Sequence, residues 1–265
     1  TKKITHFLLR DNCKAIICAN KTCWDIMENN FSKRVIDKMV LIHPGLNLPK
    51  DTFDKKSKNP KDIQFLFMGS LTNPDDFLIK GGLESLEVFK GLSLKYPNIQ
   101  LIVKCRVPEE IKKKYNLPNI KYIEEIIPYE QVLDIYKTSD ISLLPGHTYF
   151  LMAFLEAMSF GKPLIALDTY SAKDYVENGK NGFLIKPSDK IPYNAPEYPL
   201  NVRSKEFIKS IKRIDQEVIN KIAKAIEILI EDPKLREKMS KKNREIIKKD
   251  FTIEKRNKEL KKLFD

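Results

Sequence analysis

The stretch 139–163, SDISLLPGHTYFLMAFLEAMSFGKP, runs from a short apolar strand through a Pro145-Gly146 turn into an apolar helix. Within 150–160 a single charge, Glu156, stands among ten uncharged residues. An ionised carboxylate is almost never fully buried without a partner. The sequence therefore predicts a specific polar partner for Glu156, and that partner is the best indication of function.

On both sides of this stretch, apolar runs bounded by turn residues alternate with segments of helical period. This alternation predicts an α/β fold with a doubly wound, Rossmann-like parallel sheet. The predicted strands are 63–68, 99–103, 121–123, 141–144, 164–167 and 183–185. The helices expected between them are 82–95, 108–115, 130–138, the helix that carries Glu156, and a short one at 172–178.

The polar, lysine-rich segment 50–62 is the predicted domain boundary. Before it, a strand at 15–19, a helix at 22–31 and a strand at 39–43 are expected. Periodicity fails at 187–213 around four prolines, which predicts an insertion or a long surface loop. Three further helices are expected, beginning near 215, 232 and 252, with the last ending at 264.

The chain of 265 residues carries a formal charge of +12, and from Asn201 onward 20 Lys and Arg stand against 12 Asp and Glu. We interpret these lysines as the solvated faces of helices. They permit peripheral contact with an anionic membrane. No nucleic-acid partner is expected. No apolar run reaches membrane-spanning length. The spacing of the cysteines, at 13, 18, 23 and 105, predicts reduced thiols in a cytoplasmic protein, and no metal-binding motif occurs.

Ligands of parallel sheets bind beyond the carboxyl ends of the strands, where three loops carry candidate residues. In 69–82, Lys80 precedes a helix and is either a phosphate ligand or an exposed lysine. In 145–149, His147 is either an acid or base or a polar loop residue, and the main-chain N–H groups that follow it suit a diphosphate. In 103–107, Lys104 and Arg106 add positive charge or belong to a solvated edge.

The order of these parts resembles that of the retaining glycosyltransferases of family four. The similarity is carried by LIHPGLN at 41–47, FLFMGSL at 65–71 with Lys80-Gly81, VLDIYKTSDISLLPG at 132–146, FLEAMSFGKPLIALD at 154–168 and VENGKNGFLIKP at 176–187. The terminal FTIEKRNKELKKLF resembles the family's last helix. This resemblance implies a GT-B fold in which 1–62 closes a first, acceptor-binding Rossmann-like domain. The nucleotide-sugar-binding domain would be 63–250, and 251–265 would cross back to the first domain.

The resemblance also implies roles for individual residues. Lys80 would hold the donor diphosphate, Glu156 the ribose, and the backbone at 148–152 the phosphates, while Lys80 and Thr148 occupy the positions of catalytic residues. The donor-binding residues implied in this way are Gly69, Ser70, Lys80, Lys104, Arg106, Tyr149, Phe150, Leu151, Met152 and Glu156. No metal ion and no cofactor is implied.

Three positions depart from the family pattern. Ser70 stands where an arginine is expected, Thr148 stands where the first of two glutamates is expected, and Lys104-Cys105-Arg106 replaces a glycine-rich turn. The first change removes positive charge from the leaving diphosphate, and the second removes a contact near the donor sugar. Three alternatives follow: Lys104, Arg106 or a lysine from elsewhere compensates, the donor differs, or the activity is reduced.

The resemblance implies a metal-independent enzyme that moves a hexosyl or other sugar from a nucleoside-diphosphate sugar to a carbohydrate or lipid-linked acceptor, with retention. The alternative is a non-catalytic module of the same fold that binds a nucleotide sugar or a protein partner. The chain begins with Thr1 and holds only the end of a first domain, so we expect a fragment that binds donor without transferring sugar.

Overall fold

The computed structural model describes residues 2–47, 62–148, 151–193 and 201–264. They fall into two compact units, the first formed by 1–49 with 245–265 and the second by 50–244. Most of the predicted boundary segment, 50–61, lies outside the described residues.

The first unit contains two short parallel strands, β1 and β2, which pair from Ile16 with Met39 to Cys18 with Leu41. Its elements are α1 (Lys2–Leu8), β1 (Ile16–Cys18), α2 (Lys21–Asn30), α3 (Lys33–Ile36), β2 (Met39–Leu41) and α12 (Ile253–Lys261). The side chain of Asn20 caps α2 by accepting the N–H of Cys23 at 2.7 Å. The backbone of Leu46 bonds to Phe251 and Ile253, which fixes the chain on both sides of the residue that caps α12, Thr252.

The second unit is built on a six-stranded parallel sheet in the order β5-β4-β3-β6-β7-β8. Its strands are β3 (Ile63–Met68), β4 (Ile99–Lys104), β5 (Ile120–Ile123), β6 (Ile141–Leu144), β7 (Leu164–Leu167) and β8 (Gly182–Ile185). The predicted Rossmann-like α/β fold and its six strands are confirmed. Strands β6 and β7 are buried at every residue, as expected for parallel strands covered on both faces.

Helices lie between the strands of the second unit and after the last of them. They are α4 (Asp75–Ile79), α5 (Gly82–Lys95), α6 (Glu109–Lys114), α7 (Tyr129–Thr138), α8 (Leu151–Ser159), α9 (Lys205–Ile211), α10 (Gln216–Glu231) and α11 (Pro233–Asp250), with a 3₁₀ turn at Ala172–Asp174. Helix α10 buries Ile219, Ile222, Ile226 and Leu229 at helical spacing. Helices α5 and α10 pack against each other, so this apolar stripe completes the core.

Three predicted segments differ from the structure. The predicted loop 69–82 contains the short helix α4, because Phe77, Leu78 and Ile79 are all buried. The predicted loop 187–213 contains helix α9, where a Ser204 cap precedes the buried Phe207, Ile208 and Ile211. The predicted helix 172–178 is only a 3₁₀ turn at Ala172–Asp174, and beyond it the Glu177 N–H donates to the Asn181 side chain instead of continuing a helix.

A buried asparagine pair ties α11 to the sheet. The Asn243 amide donates to the main-chain oxygens of Lys162 at 2.8 Å and Asn181 at 2.9 Å. It also accepts a bond from the Asn181 amide at 2.9 Å. Both asparagines are inaccessible to solvent, so these bonds are not exchanged for water in the folded state.

Candidate functional site

The loops that follow β3 and β4 form one surface at the carboxyl end of the sheet. The Gly69 N–H donates to the Lys104 carbonyl at 2.9 Å, and the Arg106 N–H donates to the Ser70 carbonyl at 3.1 Å. The Cys105 thiol also donates to the Ser70 carbonyl, at 3.1 Å. A Cβ on Gly69 would lie 2.4 Å from the Cys105 sulfur, so only glycine permits this approach. The structure thus joins the predicted residues of these two loops.

The loop after β6 is fastened to the turn that follows α4. The His147 N–H donates to the Ile79 carbonyl at 2.8 Å. Gly81 is left-handed, with φ 77°, and a Cβ there would stand 2.0 Å from the Pro145 carbonyl oxygen. Because the two backbones touch, the position of Lys80 depends on the conformation of Pro145 and its neighbours.

Lys80 is partly buried at the end of α4. Loss of hydration lowers the pKa of this ammonium, the Asp76 carboxylate opposes that effect, and the Arg203 guanidinium adds to it. Arg203 reaches this point from the segment before α9, where its Nη2 lies 2.6 Å from Asp76 Oδ1. The sequence did not indicate Arg203 as a site residue, because it lies in the segment that was predicted to be an irregular loop.

Glu156 has its predicted polar partner, although that partner comes from the protein itself. The hydroxyl of Tyr136 on α7 donates to Glu156 Oε2 at 2.9 Å. Burial raises the pKa of the Glu156 carboxyl, and the bond from Tyr136 opposes that rise. Tyr136 is fully buried and stacks on Phe160 with ring centroids 5.5 Å apart, so its hydroxyl is held in place. The contact uses one carboxylate oxygen and is compatible with a ligand hydroxyl on the other.

A buried polar network lies directly beside these loops. His147 is 1% exposed, its Nε2 lies 2.8 Å from Glu84 Oε1, and its Nδ1 bonds to the hydroxyl of Tyr193. Both ring nitrogens are therefore engaged, and His147 is a buried polar residue of this loop. Its enclosure also separates it from solvent, which does not suit a role as an accessible acid or base. The network orients the loop instead.

The remaining predicted residues are distributed around this centre. Lys104 is buried and donates to the Glu125 carbonyl at 3.1 Å, whereas Arg106 is exposed. Thr148 is partly buried beside Gly146 and Thr169. Leu151 and Met152 begin α8, where Met152 is 46% exposed, while Tyr149 and Phe150 lie outside the described residues.

In the described ranges, no three His, Cys, Asp or Glu side chains cluster in a way that could hold a metal ion. Among the helices in that same part of the chain, none combines the length and the apolar character needed to cross a membrane.

The model of the family described as "Glycosyl transferases group 1" matches residues 49–194. A curated relative, an uncharacterized glycosyltransferase from Haemophilus influenzae, is 27% identical over 262 residues, which cover 96% of this chain and 62% of that protein. The chain thus spans about three fifths of this relative's length.

Solved structures share the fold. A variant of TarM from S. aureus, crystallised with UDP among its ligands, has a TM-score of 0.70 at 16% identity and covers 100% of this chain and 47% of its own. HepE from Anabaena in complex with UDP-glucose has a TM-score of 0.64 at 15% identity and covers 95% of this chain and 63% of its own.

Proposed function

Because the chain belongs to the glycosyl transferases group 1, we propose that it supplies the donor-binding part of a glycosyltransferase that uses a nucleoside-diphosphate sugar. The observation that supports this proposal is the contact between the Lys80-Gly81 turn and the Pro145 loop, because it joins the turn that carries Lys80 to the loop that leads into α8 at the carboxyl end of the sheet. UDP is the first nucleotide to test, since TarM and HepE were crystallised with UDP or UDP-glucose.

In the proposed reaction, the bond between the anomeric carbon and the diphosphate oxygen breaks, and its electron pair leaves with the diphosphate. Lys80 stabilises the charge that develops there. The acceptor hydroxyl forms the new bond on the same face of the sugar, so that configuration is retained, and its proton passes to the leaving phosphate. The step uses no metal ion.

The other residues of the site hold the donor. Glu156 accepts hydrogen bonds from the ribose hydroxyls, Thr148 takes a position near the sugar, and the backbone that begins α8 receives phosphate oxygens. Residues 1–62 contribute to the binding of a carbohydrate or lipid-linked acceptor. The protein works in the cytoplasm, and its basic C-terminal helices provide peripheral contact with an anionic membrane.

Isothermal titration with UDP, GDP and ADP tests the proposal. We expect one of the three to bind, and we expect its affinity to fall about tenfold or more in Lys80→Ala and Glu156→Ala, which each lose a charged contact. Lys95→Ala is the control, because Lys95 is exposed and lies at the opposite end of α5, where it pairs with Glu227. Binding as tight as that of the wild type in both site variants would refute the assignment.

A further inference from the structure

The segment that carries Arg203 is an ordered part of the second unit. The Arg203 N–H donates to the Asn201 side chain at 3.2 Å, and the Ser204 N–H donates to the Asn201 carbonyl at 2.9 Å. Ser204 then caps α9 by accepting the Phe207 N–H at 3.1 Å. Phe207 is 1% exposed and belongs to the core, so the turn is anchored directly after Arg203.

Arg203 pairs with a carboxylate of the short helix that ends at Lys80. Asp76 is buried and accepts a hydrogen bond from Arg203 at 2.6 Å, whereas the Arg203 side chain is 52% exposed. Asp76 lies one helical turn before Lys80, whose N–H donates to the Asp76 carbonyl at 2.8 Å. Residues four apart lie on the same face of a helix, so Lys80, Asp76 and Arg203 form one cluster of charged side chains at the end of α4.

This cluster has the chemistry of a polyphosphate site. A guanidinium carries five N–H donors, so the contact of one Nη with Asp76 leaves Arg203 donors for a second anion. Arginine binds phosphate through paired N–H groups, while a lysine ammonium acts as a point charge. The lowered pKa of Lys80, to which Arg203 contributes, is consistent with the closeness of the two cations.

We propose that Arg203 is a second ligand of the donor diphosphate, reaching the site from the segment after β8 and standing beside Lys80. It supplies the positive charge that Ser70 does not provide at the end of β3. Asp76 holds the Arg203 guanidinium in place through one Nη group. The inference rests on the proposed function, because it names a further residue for the same ligand.

The test compares nucleotides that differ only in phosphate content. Titration of the 265-residue chain with UDP, UMP and uridine, or with the GDP or ADP series if that base binds better, measures the contribution of the second phosphate. For Arg203→Gln we expect about a ten- to hundredfold loss of affinity for the diphosphate and a much smaller loss for the nucleoside. Arg203→Lys keeps the charge without the paired donors and should be intermediate.

Two further variants separate ligand binding from folding. Asp76→Asn combined with Arg203→Gln removes both ends of the ion pair, so no unpaired carboxylate is left buried, and the diphosphate-specific loss should persist. Arg213→Gln is the matched control, because Arg213 is an exposed arginine of the same segment, beyond α9, and should bind as the wild type does.

The outcomes are distinguishable. If Lys80→Ala weakens diphosphate binding while Arg203→Gln and the double variant bind like Arg213→Gln, the role of Arg203 is refuted and the proposed function stands. If Arg203→Gln weakens the nucleoside as much as the diphosphate, the residue has a structural role and the inference is also refuted. If the wild-type chain binds none of the nucleotides, the proposed function itself fails.

Discussion

Replacing Gly81 with alanine tests the contact that joins the two loops of the candidate site. Gly81 has φ 77°, and an added Cβ would meet the carbonyl oxygen of Pro145 at 2.0 Å. That separation must grow to at least 3.0 Å before it enters the range that real Cβ atoms show. The obstacle is main-chain carbonyl rather than the end of a flexible side chain, so one of the two loops has to move.

Two effects set the expected loss of stability. Forcing an alanine into left-handed backbone costs about 1–2 kcal/mol. Overpacking against a fixed neighbour adds about 1–3 kcal/mol. For Gly81→Ala we therefore expect the free energy of unfolding to fall by about 2–5 kcal/mol in total.

Gly179 offers a control with the same backbone conformation. Its φ is also 77°, but no atom lies within 4 Å of the position that a Cβ would take. Gly179→Ala should therefore show only the backbone cost of about 1–2 kcal/mol. The difference between the two variants isolates the contact of Gly81 with Pro145.

The assay is urea unfolding followed by circular dichroism, combined with nucleotide titration under native conditions. Since Lys80 directly precedes Gly81, a movement of about 1 Å should also weaken diphosphate binding at least tenfold in Gly81→Ala. Gly179→Ala should bind as the wild type does. Equal losses of stability in the two variants, with nucleotide affinity unchanged in both, would show that the loops do not touch in this way.

Four other measurements follow from the structure. Tyr136→Phe removes the bond to Glu156, so the pKa of that carboxyl should rise further in an NMR titration and the fold should lose about 1–3 kcal/mol in urea unfolding. The pKa of Lys80 is lowered in the free protein, and a bound anion favours its charged form. Diphosphate affinity should therefore fall as the pH rises toward 10.5, and titrations in different buffers should show proton uptake on binding. A Lys80→Met variant should lose this dependence of affinity on pH. Asn243→Ala breaks three buried hydrogen bonds and should cost about 2–4 kcal/mol in urea unfolding without changing nucleotide affinity. Burial raises the pKa of the Cys105 thiol to about 12, so iodoacetamide should label it only after unfolding, as peptide mass mapping would show.

Local sequence signals were sufficient to predict the strands of the six-stranded sheet. Each strand of the second unit is a run of apolar residues closed by turn residues, and the limits of β3, β6 and β7 agree with the prediction residue for residue. Helix α9 was missed for a physical reason. Its seven residues follow a proline-rich segment and bury only Phe207, Ile208 and Ile211, too few for a clear helical period.

Local sequence signals could not predict which residues of the site contact one another. Tyr136 and Glu156 are 20 residues apart, and Asp76 and Arg203 are 127 residues apart. Such pairs come together through the winding of the sheet, and periodicity reports only which face of an element is buried. The resemblance indicated Lys80 and Glu156 from their positions in motifs, but it could not indicate Arg203, which lies outside every matching motif.

The structure changes the reason why Glu156 indicates a ligand. Tyr136 supplies the polar partner that a carboxylate in an apolar helix requires, so the need for a partner alone no longer points to a ligand. A glutamine would accept the same bond from Tyr136 without the cost of a buried charge, and burial does raise the pKa of Glu156. The bond to Tyr136 therefore explains an acceptor at this position but not a charged one. A charge that its structural partner does not require, as at Glu156, is expected where a ligand completes the hydrogen bonds of a site.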